Sequence, residues 1–103
     1  MLELNKSNFV KETEKGVVVV DFSASWCGPC KMMIPIFEEV SKEMKDVKFT
    51  KVDVDDNPDI AQKFGVMGIP TFIVFKNGKE VDRSTGAVPK SSLKAKLEAA
   101  SKK

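Results

Sequence analysis

Histidine and tyrosine are absent from this 103-residue chain, cysteine occurs twice and tryptophan once. A structural zinc site asks for about four Cys or His ligands, so two cysteines could hold one only by sharing it across a dimer. No apolar run approaches the roughly 20 residues that a membrane-spanning helix needs. The opening residues Met1-Leu2-Glu3-Leu4-Asn5-Lys6 lack a basic segment followed by an apolar one. No secretory signal is therefore expected, and the cytoplasm is the expected location. An excess of one charge is missing too: the formal net charge is +2, with lysines scattered among carboxylates, which argues against nucleic-acid or membrane binding. The most basic stretch, residues 90–103, carries Leu93, Leu97 and Ala100 at helical spacing and reads as an amphipathic helix with a solvated lysine face. Linkers, repeats and low-complexity segments are absent. The length is a common one for a single domain, expected here over residues 1–103.

What the chain does have is a cysteine pair with two residues between, in Trp26-Cys27-Gly28-Pro29-Cys30-Lys31. A disulfide closing so short a loop removes little entropy from the unfolded chain, because its stabilisation grows with the logarithm of loop length. Stapling is therefore a poor explanation. Two intervening residues let the second sulfur reach back to the first, so the pair can open and close without unfolding anything else. In a reducing compartment such a motif is catalytic or metal-binding rather than structural.

Along the chain, Ser7 is expected to cap a first helix carrying Phe9 and Val10 that ends near Gly16. Val17-Val18-Val19-Val20-Asp21-Phe22 is an almost unbroken β-branched run, the pattern of a central strand buried on both faces. After the cysteines, Met33, Phe37, Val40 and Met44 mark the buried stripe of a long helix, which Pro35 is expected to kink. A strand over residues 47–54 completes a strand-helix-strand unit whose strands pair in parallel. Asn57 as N-cap, Pro58 in the first turn and Gly65 as the stop punctuate a third helix with Ile60, Ala61 and Phe64 inward. Asn77-Gly78, between Thr71-Phe72-Ile73-Val74-Phe75 and Val81-Asp82-Arg83, is the strongest short hairpin signal. A last helix closes an α/β fold with a mixed central sheet and helices on both faces.

Cys27 falls where a strand's carboxyl end meets a helix N-terminus, the place where sites collect in open α/β sheets. Free N–H groups and the positive end of the helix dipole favour a thiolate there, which marks Cys27 as the nucleophile. Cys30, one turn in, is expected to stay protonated until needed. An ordinary thiol of pKa about 8.5 is roughly 3 percent ionised at neutral pH, and a lower pKa raises that fraction, but a Brønsted slope of about 0.45 removes much of the gain. The larger rate advantage comes when Cys30 attacks as an intramolecular nucleophile already in position. Asp21 lies inside the apolar strand, where a carboxylate costs several kcal/mol unless paired or protonated. Its pKa should be raised, and it could take the proton of Cys30 directly or through a water; a solvent-facing strand end is the alternative. Lys51, on the neighbouring strand, is either its partner or an ordinary exposed lysine. Pro70, in Met67-Gly68-Ile69-Pro70-Thr71, starts a strand and, judged on the residues alone, would be trans.

Val20-Asp21-Phe22, the segment Trp26-Cys27-Gly28-Pro29-Cys30-Lys31, Pro35, residues 55–58, Gly68-Ile69-Pro70-Thr71, Phe75-Lys76-Asn77-Gly78 and Gly86 resemble the thioredoxin family in order and near spacing, over essentially the whole chain. The resemblance implies the thioredoxin fold and a general protein-disulfide reductase. Cys27 would attack a target disulfide and Cys30 resolve the mixed disulfide, with electrons supplied by a thioredoxin reductase that draws on NADPH or ferredoxin. It implies no bound cofactor, since the Cys27–Cys30 disulfide is itself the carrier. The implied partners are that reductase and disulfide-containing target proteins, and a monomer is expected. Asp21 would be the buried acid/base near Cys30 and Lys51 its charge partner. Pro70 would be cis, beside the cysteines, so that the Ile69 backbone pairs with an extended target peptide. Trp26, Gly28, Pro29, Met67, Gly68, Gly86 and Ala87 would complete an apolar docking surface, a kind of site that draws affinity from main-chain pairing and accepts many targets.

Two departures from the family pattern stand out. Ser23 occupies a position where many relatives carry a tryptophan, leaving Trp26 as the only indole. No histidine lies between the cysteines, and Gly-Pro there favours the reductant branch by resemblance. The rival readings are an oxidant or isomerase on the same fold, and a binding module that uses the apolar surface around Trp26 and Ile69.

Overall fold

The β-branched run becomes the middle of the sheet. The computed structural model describes residues 1–103, in the order β1 (Leu2–Glu3), α1 (Phe9–Thr13), β2 (Val17–Ser23), α2 (Gly28–Glu43), β3 (Val47–Asp53), α3 (Pro58–Lys63), β4 (Thr71–Lys76), β5 (Lys79–Thr85) and α4 (Lys90–Ser101). The strands are arranged β1-β3-β2-β4-β5. β1, β3 and β2 run parallel, while β4 and β5 are antiparallel additions. The sheet is mixed, as expected.

Both faces of β2 are covered because alternate side chains of a strand point to opposite sides. Val19 packs with Met33, Phe37 and Val40 of α2 and with Leu93, Leu97 and Ala100 of α4. Val18, Val20 and Phe22 pack on the other side with Phe9 of α1 and Ile60 of α3. Each of the large side chains among these contributes roughly 1.5 to 3 kcal/mol by leaving water. The same alternation puts Asp21 on the Val19 face, under α2.

Several expectations need correction. Ser7 does not cap α1: Asn8 occupies the N-cap position, and Asn5 organises the approach. The Asn5 side-chain oxygen accepts from Ser7 and Asn8 N–H groups at 2.8 and 3.2 Å, and its carbonyl accepts from Phe9 N–H at 2.9 Å. Val10 is on the water side of α1, 66% exposed. β1 was not anticipated, and β5 extends beyond the three residues expected of it. Asn57 does hold the N-cap position of α3 but makes no side-chain cap bond; its amide donates to the Asp53 carbonyl at 3.1 Å instead. Pro35 lies inside α2, as expected.

The hairpin turn is as expected, with Asn77 and Gly78 at φ +52° and +85°, the left-handed pair of a type I′ turn. Asn77 also ties the turn to Gly16: its N–H donates to the Gly16 carbonyl, and its side-chain oxygen accepts from Gly16 N–H, both at 2.9 Å. No helix is long and apolar enough to cross a membrane.

Candidate active site at the Cys27–Cys30 disulfide

β2 delivers the chain to the site, a short turn closed by Cys27 N–H donating to the Ala24 carbonyl at 3.2 Å redirects it, and α2 begins at once with Gly28 and Pro29. Pro29 suits this place because a first-turn N–H has no partner in the helix to lose. Cys27 is the N-cap residue, with extended backbone, and its sulfur accepts the N–H of Cys30 at 3.2 Å. It holds the place usually taken by a serine or aspartate oxygen, facing unpaired helix donors and the positive end of the dipole. Negative charge on this sulfur is therefore favoured. Cys30 lies one turn further on and the two sulfurs are bonded, with Cα atoms 5.2 Å apart. The cysteines are equally buried, at 5% and 3% exposure, so it is position along the helix, not accessibility, that distinguishes them.

The Ile69–Pro70 bond is cis, which overturns the trans form read from the residues alone and agrees with the family resemblance. The Ile69 carbonyl lies 3.9 Å from the Cys27 sulfur, and Ile69 packs against the cluster of Ala24, Cys27 and Cys30. No backbone group pairs with Ile69. The loop around it is held from several sides. Thr71 Oγ1 donates to the Gly68 carbonyl at 2.5 Å and Gly86 N–H to the Pro70 carbonyl at 2.8 Å. A Cβ on Gly68 would stand 3.3 Å from the Thr85 methyl, so the strand end and the loop are already in close contact. Gly86 itself sits at φ +98°, a conformation that side chains disfavour.

Apolar surface faces water at Trp26, 67% exposed, and Met67, 98% exposed. Trp26 is oriented by Asp55, whose carboxylate accepts the indole N–H at 2.7 Å. Gly28 and Pro29 are exposed on the first turn of α2. Ala87 is exposed directly after Gly86 and takes part in none of the hydrogen bonds that fix this edge.

Asp21 is buried, and its Oδ1 has no hydrogen-bond partner. Loss of water pushes its carboxyl from the ordinary range up to about 7, against the opposing pull of the Lys51 ammonium. Lys51 is its direct neighbour across the parallel β2–β3 pair, and Lys51 Nζ makes an ion pair with Glu3 at 3.9 Å. The solvent-facing strand end weighed for Asp21 is thereby set aside.

Two cavities meet at Lys51 and Ile34. One, about 60 Å³, holds Asp21 with Phe37 and Glu38; the other, about 320 Å³, reaches Cys30 past Ser23, Glu3 and Asp53. Ser23, at the position where the family often has tryptophan, is part of the wall beside Cys30. Sequence reasoning missed two residues here, Asp55 and Glu3. Neither has a local signal: Asp55 is 29 positions from Trp26, and Glu3 depends on the unforeseen β1. No group of three His, Cys, Asp or Glu side chains is placed to hold a metal ion.

A thioredoxin family model matches residues 1–99. The thioredoxin of Bacillus subtilis (strain 168) is 48% identical over 94 residues, covering 90% of each chain. That of Chlamydia muridarum is 48% identical over 90 residues, covering 87% of this chain and 88% of its own. The thioredoxin of Staphylococcus saprophyticus is 46% identical over 99 residues, covering 95% of each. These likenesses run through the strand, helix and loop that converge on the disulfide. The activity that accompanies them is thiol-disulfide exchange on proteins, carried by the Cys27–Cys30 pair, and the chain belongs to the thioredoxin family.

Proposed function

We propose that the chain, working as one domain and as a monomer, is a general cytoplasmic reductant of protein disulfides with a fixed division of labour. Cys27 is the attacking sulfur. As a thiolate at the α2 N-terminus it bonds to one sulfur of a target disulfide and displaces the other, which leaves with the electron pair and takes a proton. Cys30 is the resolving sulfur. Its S–H proton passes to the Asp21 carboxylate, its sulfur bonds to Cys27, the bond between Cys27 and the target breaks, and the second target sulfur departs as a thiolate. Two electrons have then reached the target, and the pair is left as a disulfide.

The observation that carries this assignment is the 3.2 Å hydrogen bond from Cys30 N–H to the Cys27 sulfur. It supports Cys27 over Cys30 as the thiolate, because a helix start favours negative charge. Lys51 is the cation whose charge acts on Asp21 across the β2–β3 pair. Trp26, Gly28, Pro29, Met67, Gly68, Pro70, Gly86 and Ala87 form the surface on which an extended target segment lies, with the free Ile69 backbone as its pairing edge. A thioredoxin reductase fed by NADPH or ferredoxin returns the disulfide to the dithiol.

Replacing the resolving sulfur tests the assignment. Cys30→Ser should accumulate mixed disulfides with oxidised target proteins through Cys27, whereas Cys27→Ser should trap almost none. Equal trapping through Cys30 in the second variant would overturn the roles.

A further inference from the structure

Three adjacent strands set three ionisable side chains in one row. In-register parallel pairing places Glu3 of β1 opposite Lys51 of β3, and Lys51 opposite Asp21 of β2. Directly paired residues share a face of the sheet, here the one under α2. The row runs inward from water: the Glu3 and Lys51 side chains are 69% and 44% exposed, and Asp21 is buried. Lys51 is the one cation in the row and has a carboxyl group on each side. It makes its ion pair with Glu3, while Asp21 Oδ1 is left without a partner.

Lys51 borders two cavities. With Glu3 it lines the larger one, which contains Cys30; with Asp21 it lines the smaller. The other groups around Asp21 in that smaller cavity are Glu38 from α2, Met1 with the chain's α-amino group, and the apolar Ile34 and Phe37. From β4 the neighbour is Phe72, which carries no charge. Among the charged groups, only Lys51 is also claimed by a carboxylate outside the cavity.

We propose that Glu3 is a positioning residue for the resolving step: it competes with Asp21 for the Lys51 ammonium, and so keeps the buried carboxylate unpaired and ready to take the Cys30 proton. A carboxylate without a cation beside it is the stronger base. With Glu3 neutralised, Lys51 turns toward Asp21, the carboxylate is stabilised, and it accepts a proton less readily. The two-residue strand β1 then has a task beyond covering the sheet, since it supplies the carboxylate that pairs with Lys51. The inference rests on the reading of Asp21 as the base in resolution.

The test uses the full chain with Glu3→Gln and Glu3→Lys. Glu98→Gln, an exposed carboxylate on α4, is the control for loss of one negative charge. Asp21 is titrated directly by carboxyl ¹³C NMR in the oxidised protein. Resolution is followed by stopped flow, as the second, concentration-independent release of thionitrobenzoate when the dithiol protein meets Ellman's disulfide. Glu3→Gln should lower the Asp21 midpoint by roughly 0.2 to 0.7 of a pH unit, the size of an exposed ion pair expressed as a titration shift. The rising limb of the resolution profile should move down with it, to a lower plateau. Glu3→Lys should shift both further, and Glu98→Gln neither. An unmoved Asp21 midpoint in both Glu3 variants overturns the proposal even where Asp21→Asn still slows resolution. An Asp21→Asn protein that resolves at the parent rate instead overturns the assignment of Asp21 as the base, and the proposal with it.

Discussion

Asp21 faces Lys51 across the parallel β2–β3 pair, yet its Oδ1 is buried without a partner. Burial lifts the carboxyl from 3.8 to about 7. Between roughly pH 4 and 7 the folded state holds a proton that the unfolded state has lost, so stability falls as pH rises through this window and levels off above it. The span of about 3 units corresponds to a ceiling of about 4 kcal/mol. Asn in place of Asp21 never ionises, so Asp21→Asn should be the more stable protein at pH 8 and nearly equal to the parent at pH 4. Urea unfolding at the two pH values measures this, and parallel pH dependence in parent and variant would contradict it.

The same substitution should separate the two chemical steps. Asp21→Asn removes the base proposed for Cys30 and leaves the α2 N-terminus around Cys27 intact. Resolution at pH 8 should slow by about tenfold or more, less than the roughly hundredfold or greater effect of a full general base because water substitutes. Initial attack should change by less than about twofold, judged against the same reference range. Stopped-flow kinetics under single-turnover conditions resolves both rates, and equal slowing of the two would count against a specific role in resolution.

Trp26 is the only indole and is held by Asp55, so its fluorescence reports on this one contact. Asp55→Ala should free the ring, changing its emission and raising KM for a protein target by roughly fivefold, the equivalent of about 1 kcal/mol for one exposed charge-assisted hydrogen bond. With the thiols untouched, kcat should hold. Unchanged emission and KM would mean that Asp55 does not orient the ring in solution.

The glycines should divide sharply. Gly86 sits at φ +98°, whereas Gly28 has an ordinary φ and nothing within 4 Å of a would-be Cβ. Gly86→Ala should cost about 1 to 2 kcal/mol through backbone strain and loosen the hydrogen bond to Pro70. Gly28→Ala should be neutral or slightly stabilising, by no more than about 1 kcal/mol. Thermal melts of the two variants measure the difference, and equal melting temperatures would contradict it.

The strands and helices that bury a full face could be read from the chain, because their periodicity is the imprint of the core: the run at Val17–Ser23, the stripe of Met33, Phe37 and Val40, and the pair Leu93 and Leu97. The place of Cys27 at the helix start was legible too, since N-cap position follows from where strand meets helix. What escaped was set by tertiary pairing. Two residues, Leu2 and Glu3, are too few to show any period, and they become a strand only because β3 offers an edge. β5 is long but half exposed, so its charged residues hide the alternation. Ser7 looked like a cap because capping preference is local, while Asn5 wins by reaching two N–H groups at once. The cis form of Pro70 lay in the family pattern and not in the residues, which alone favour trans.

The borders of the sheet carry a last consequence. β1 pairs with β3 only at Thr50 and Lys51, so residues 47–49 remain a short open margin, and Lys48 stands in it, tied to Glu12 of α1. The opposite margin, β5, includes Lys79, Glu80, Asp82 and Arg83. Unpaired strand edges invite other chains to add themselves, and lysines and short strands are the usual deterrents. Both margins are defended in this way, which discourages copies of the protein from stitching into fibrils at high concentration. In the function proposed above, strand addition by a visitor is left to the unpaired Ile69 backbone, where the visitor's disulfide would come within reach of Cys27 and the stay would be ended by the chemistry itself.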